Sequence, residues 1–301
     1  MDFLRKGKAF FLLVLTFFLW GSIYVAGKLV SDIPASVVAA LRCFIACFPL
    51  LVMARKHFGV KIDKDDIKYF IAVGALGYFL TVFMVQLGIS YTGASMAALV
   101  NATTPIGITV LAVFILNERI TPIKVICLVL AIAGTAIITF GADTHGQLVG
   151  IAAVLVAVLA FSVASCYMRK LTAKYPSILV TAYGMVISMV FYVPVSIITV
   201  IREGGIHFTG SDLLVLLYLG FIGSGLAQYT WTTVLGLLPA STCSLFYPLQ
   251  PLFAALLGAV ILHESFKPTF FIGLILISFD VVLSAFEAKS ASTNSVKKKL
   301  S

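Results

Sequence analysis

The chain has 301 residues, of which 61% are hydrophobic and 11% charged, with a formal net charge of +9 and a mean hydropathy of +1.10. Soluble domains carry roughly 25% charged residues, so this composition excludes a water-soluble globule and makes the lipid bilayer the solvent. No HExxH, GxSxG or P-loop pattern occurs. The chain therefore lacks the chemistry of an intramembrane hydrolase or an ATP-driven pump, and no cofactor or metal is expected.

A spanning helix needs about 20 apolar residues. That ruler parses the chain into ten segments: 9–30, 36–55, 67–89, 95–116, 121–140, 147–168, 178–201, 213–235, 240–262 and 268–288. Helices are the only plausible element, since no alternating barrel pattern appears. The first run is too long for a signal-peptide core and has no small-x-small cleavage site near its end, so it reads as a retained span. With ten spans and both termini inside, seventeen of the 21 Lys and Arg residues fall on the inner side. Arg202 and Lys267 fall outside, and Lys28 and Arg42 lie within spans. This is the positive-inside asymmetry. It accounts for the net charge by topology, with the basic 289–301 tail against anionic lipid, and leaves no case for nucleic acid as a partner. All five cysteines, Cys43, Cys47, Cys127, Cys166 and Cys243, sit inside spans, away from any outer loop where a disulfide would form.

A constant offset of 146 aligns two stretches of the chain. It pairs Ala94 with Ala240, Ser95 with Ser241, Pro105 with Pro251, Glu118 with Glu264 and Pro122 with Pro268. The expected organisation is a first five-helix repeat over 1–143, a second over 144–288 and a tail. An odd number of spans per half turns the second repeat upside down. A proline within a helix removes one hydrogen bond and frees the carbonyl four residues back, here those of Asn101 and Tyr247. Both prolines lie about ten residues, or roughly 15 Å, into their spans, so the two breaks should meet at the midplane as gating hinges and offer carbonyls to a solute.

Other candidates are placed by depth. Trp20, with its repeat partner Phe161, and Tyr24 and Tyr78 supply aromatic surface to a substrate cavity. Gln86 and Gln228 supply uncharged donors and acceptors. Arg42 sits six residues into the second span with no acid one turn away. It can hold a neighbouring helix through carbonyls or grip a substrate carboxylate bidentately. Lys28 can snorkel outward toward Asp32, and Asp280 is the sole acid deep within a span; both are candidates for ion coupling. Glu118 and Glu264 fall at helix ends, where a structural loop contact is expected.

LWGSIYVAGKLV, followed by VAALRCFIACFPLL and YTGASMAALVNATTPIGITVLAVFILNERIT, resembles the EamA-type repeat of the drug/metabolite transporter superfamily. LPASTCSLFYPLQPLFAALLGAVILHESF is similar to the end of the same repeat, and the resemblance covers about residues 10 to 288. The second repeat departs at Asp280, where the first has Gly134. The resemblance implies an all-α, ten-helix alternating-access carrier of small organic metabolites in the plasma membrane, often an exporter of amino acids or related compounds. Such a carrier works on a small organic solute within the lipid bilayer, with coupling to a proton or substrate gradient, as a monomer or weak dimer. An importer or exchanger of sugars or phosphorylated metabolites and a drug exporter are the alternatives within transport.

Overall fold

A computed structural model describes residues 2–118, 121–122, 125–126, 129–130, 133, 145–247, 249–263, 271–272, 275–276 and 279. Among these residues the fold is all-helical, and eight helices are long and apolar enough to cross a membrane. They are α1 (Gly7–Leu29), α2 (Ala35–His57), α3 (Lys64–Thr92), α4 (Ala94–Leu116), α5 (Gln147–Thr172), α6 (Ser177–Arg202), α7 (Gly210–Leu237) and α8 (Ala240–Ile261). They coincide with eight of the ten expected spans. The other two, 121–140 and 268–288, fall largely outside the described residues.

Burial grades the helices from centre to periphery. The most apolar window of α1 is 67% buried, whereas that of α6 is 22% buried. Large apolar side chains such as Phe44, Phe48, Phe114, Val190 and Val260 are exposed, as lipid-facing positions are in a protein whose solvent is hydrocarbon. With no hydrophobic drive between helices in lipid, close packing through small residues and polar cross-links has to hold them together. Thr16 of α1 donates to Thr230 of α7 at 2.7 Å. A Cβ at Gly150 of α5 would meet Tyr91 of α3 at 2.9 Å, so this glycine sets the approach of α3 to α5.

The duplication is visible in the backbone. Pro34 and Pro176 stand at the N-caps of α2 and α6 with φ/ψ of −51/131 and −56/135. α3 and α7 each contain a π-wound stretch, Val73–Leu80 and Leu219–Leu226, at the same offset of 146. π-winding is rare and concentrates at functional sites; here each stretch carries a G-x-x-G. A Cβ on Gly74 would meet Ile187 at 2.6 Å, and one on Gly220 would meet Ile45 at 2.5 Å. α3 thus presses on α6 as α7 presses on α2.

α4 and α8 are both broken. α4 runs as Ala94–Asn101 and then Thr104–Leu116, with Pro105 in the first turn of its second piece. α8 runs as Ala240–Ser244 and Leu249–Ile261, with Pro251 near the start of its second piece. Each proline begins a new helix, where its missing N–H costs nothing. The freed carbonyls are retaken locally, contrary to the sequence expectation: Thr104 Oγ1 donates to Asn101 O at 2.6 Å, and the Gln250 N–H donates to Tyr247 O at 2.9 Å. A hydroxyl one residue before Pro105 competes with any solute for the Asn101 carbonyl.

Candidate functional site

Between the two broken helices lies a cavity of about 50 Å³. One water needs roughly 10–15 Å³, so this space holds a few waters, and a larger solute must widen it. Its wall takes Trp20, Ile23 and Tyr24 from α1, Arg42 from α2, Thr81, Val82 and Val85 from α3, and Asn101 from α4. Phe161 of α5, Gln228 of α7, and Tyr247 and Gln250 of α8 complete it.

The pseudo-twofold relation runs through this wall. Asn101 Nδ2 donates to Gln250 Oε1 at 3.2 Å, and the Tyr247 side chain lies beside Thr104. The offset of 146 exchanges Asn101 with Tyr247 and Thr104 with Gln250, so the two contacts are one contact seen from each half. Each joins one broken helix to the other beside its break. Gln250 also lies beside the Tyr24 side chain in the same wall.

Arg42 is the cavity's charge. It is 4% exposed, and its Nε donates to Ser224 Oγ of α7 at 2.8 Å. The π-wound stretch makes room for it: a Cβ on Gly223 would lie 3.3 Å from Arg42 Nη2 and 2.8 Å from Ile23. Among the described residues no carboxylate pairs with this guanidinium. The buried acid among them, Asp66, is held elsewhere by Lys174 and Tyr175, at 2.8 Å each. An uncompensated buried cation is expensive, and among the described residues the Ser224 hydroxyl is its hydrogen-bond partner. Gln228 Oε1, buried in the same wall, has no hydrogen-bond partner among the described residues.

The aromatic residues form one body. Trp20 lies 5.4 Å from Trp231, 5.5 Å from Phe161 and 5.8 Å from Tyr247 between ring centroids. Phe17 closes the cluster against Tyr247 at 4.9 Å. Such contacts favour offset and edge-to-face geometry, and the cluster walls the cavity on the side of the N-terminal half of α1.

Of the candidates read from the sequence, Trp20, Tyr24, Arg42, Asn101, Phe161, Gln228 and Tyr247 line this one cavity. Tyr78 and Gln86 are not part of the wall. Tyr78 is buried against Gly184 and Tyr192, whose hydroxyl donates to the Tyr78 carbonyl at 3.0 Å. Gln86 Nε2 donates to Gly27 O at 3.0 Å and ties α3 to α1. Lys28 sits partly exposed at the end of α1, away from the wall, and Asp280 lies outside the described residues. The sequence reading missed Gln250, Thr81, Ser224 and Trp231. Gln250 was the most findable of these: an amide next to Pro251 in an apolar run, matched to Thr104 by the repeat.

A duplicated bundle with paired helix breaks around a buried polar cavity has the architecture of a membrane transporter. The chain belongs to the EamA-like transporter family, whose profile matches residues 7–140 and again 148–286. It is a multi-pass membrane protein. It is 27% identical to an uncharacterized transporter of Clostridium kluyveri over 98% of this chain and 97% of that one. It is also 27% identical to the uncharacterized transporter YetK of Bacillus subtilis, over 89% and 84%. A probable terminal-alkyne amino-acid exporter of Streptantibioticus cattleyicolor is 25% identical over 90% and 91%. A solved crystal structure shares the fold, with a TM-score of 0.72 at 19% identity over 95% of this chain and 99% of its own. These relatives are named as transporters.

Proposed function

We propose that the protein is a secondary transporter that exports amino acids or related carboxylate-bearing solutes by alternating access across the plasma membrane. The observation that carries this reading is Arg42, a buried guanidinium that lines the cavity and pairs with no carboxylate among the described residues. A carboxylate solute compensates that charge and accepts the paired N–H groups of the fork. Gln228 and Gln250 serve the solute's remaining polar groups, and the aromatic cluster takes its apolar part. The relative named as a probable amino-acid exporter supports the choice of substrate class.

The mechanism needs no covalent step. Ten spans arranged as two inverted repeats, 1–143 and 144–288, rock about the cavity, with both termini in the cytoplasm. Pro105 and Pro251 are the hinges. The contacts Asn101–Gln250 and Tyr247–Thr104 are the pivot, since they join the halves at equivalent points. The breaks let each half-helix tilt without costing a full ladder of backbone bonds in lipid. The test is counterflow in proteoliposomes with a panel of amino acids, other carboxylates, sugars and phosphorylated metabolites. Exchange of carboxylates alone supports the reading. Exchange confined to neutral sugars sinks it.

A further inference from the structure

Glu118 follows the last turn of α4, and the cavity has no use for it. Asn117 ends that helix in the left-handed region at φ 54, and the Glu118 N–H closes back on Ala112 O at 3.1 Å. This C-terminal closure points the Glu118 carboxylate across the repeat boundary to the start of α8. Its Oε1 accepts from the Ala240 N–H at 2.9 Å, and its Oε2 accepts from the Ser241 N–H at 3.2 Å and from the Ser241 hydroxyl. The first N–H groups of a helix have no partner within it and are usually satisfied by the side chain of the N-cap residue. The N-cap of α8 is Pro239, which has no side-chain acceptor, and no side chain of its own caps that end. The second repeat therefore borrows its cap from the first.

We propose that Glu118 is a gating latch that holds the inner mouth closed. The proposal rests on the rocking reading above and on the inner placement of this end of α8. The latched segment leads directly to the aromatic plug: Ser241 is six residues before Tyr247, which packs on Phe17, Trp20 and Trp231. Opening inward requires the first piece of α8 to part from the second piece of α4, its main packing partner, and from α5 and α7, and that movement pulls the capped N–H groups off the carboxylate. The released carboxylate has partners nearby, because Glu118 shares a surface recess of about 480 Å³ with Arg169, Lys170 and Lys174. The latch thus exchanges one set of donors for another and leaves no charge stranded at the membrane edge.

Cys243 is a built-in reporter, fully buried two residues past Ser241. The test uses the full chain with Cys43, Cys47, Cys127 and Cys166 replaced by serine, and alkylation of Cys243 by an impermeant maleimide in inside-out vesicles. A second form, with Cys243 also replaced and Val85→Cys in the cavity wall, reports access from outside. Hydrogen bonds to a charged group are strong enough that losing this cap should shift the open population about tenfold or more. Glu118→Ala should raise Cys243 labelling by that factor and lower Val85→Cys labelling from outside. Glu118→Gln and Ser241→Ala, which keep part of the cap, should shift both in the same directions by less and serve where the alanine variant does not fold. Equal labelling in variant and parent, or a rise at both reporters together, overturns the latch. Pro105→Ala and Pro251→Ala separate the two readings: if they move the reporters oppositely while Glu118 variants do nothing, the latch alone fails. If no variant moves the reporters oppositely, rocking fails with it.

Discussion

Replacing Arg42 by lysine keeps a positive charge at the cavity and removes the planar fork. In the present geometry Nε is engaged by Ser224 at 2.8 Å, which leaves the two terminal nitrogens for a solute. Lysine offers a single ammonium that cannot hold Ser224 and present two parallel donors at once. The variant therefore loses at least one charge-assisted hydrogen bond in the loaded state, about 1.5–3 kcal/mol, or roughly 10- to 150-fold in solute affinity. The long stem still fills the space beside Ile23 and Gly223, so folding should change little. The assay is initial-rate counterflow of a carboxylate solute in proteoliposomes, paired with thermal unfolding in detergent. A KM raised at least tenfold with an unfolding midpoint near that of the parent is the expected result. Normal KM in Arg42→Lys, with Arg42→Ala failing only by loss of folded protein, would refute a solute-binding role and make the residue a strut between α2 and α7.

Gly223→Ala should lower the unfolding midpoint and raise KM together, because its Cβ would meet Ile23 at 2.8 Å and Arg42 Nη2 at 3.3 Å; overpacking of this kind costs about 1–3 kcal/mol. Gly59→Ala, with nothing within 4 Å of the new atom, should be silent in both measurements. Gln250→Leu should cut transport several-fold, since it orphans Asn101 Nδ2 and a lost neutral hydrogen bond is worth about 1 kcal/mol; unchanged transport would remove the pivot from the account. Pro105→Ala and Pro251→Ala should slow turnover more than they weaken binding, and should favour opposite openings. Equal accessibility changes in both would contradict the inverted arrangement. His207→Cys should label from outside intact cells and Lys61→Cys only after permeabilisation, and the reverse pattern would overturn the topology.

The bilayer explains how much of this was legible in sequence. Span length is fixed by membrane thickness, so eight helices fall where a ruler of about 20 residues puts them. The paired prolines mark two breaks because proline has the same effect at Pro105 and Pro251. Direction around the helix was harder to read. A helix that is apolar all round carries no polar stripe to say which face meets the cavity, and in α3 the winding itself changes. Each residue of the π-wound Val73–Leu80 stretch turns the chain by less than the roughly 100° of an α-helix, so the face presented after it is rotated from the one an unbroken helix would show. Extrapolating from depth therefore assigned Tyr78 and Gln86 to a cavity that Thr81, Val82 and Val85 line instead. The fate of the Asn101 carbonyl was hidden for a different reason. Pro105 announces a missing N–H, but whether the Thr104 hydroxyl turns back to replace it depends on a rotamer. Glu118 read as a loop contact, and only the three-dimensional meeting of α4 with the start of α8 reveals what it caps.

Access to the cavity from both faces of the membrane tests the central claim most directly. A single cysteine at Val85, in the otherwise cysteine-free protein, would be labelled by an impermeant maleimide in right-side-out and in inside-out vesicles, with and without a carboxylate solute. The account predicts measurable labelling from each side, slowed from both by the solute and restored when Arg42→Lys weakens solute binding. Labelling from one side only under every condition would contradict alternating access. Labelling from both sides that no solute slows would contradict the binding site.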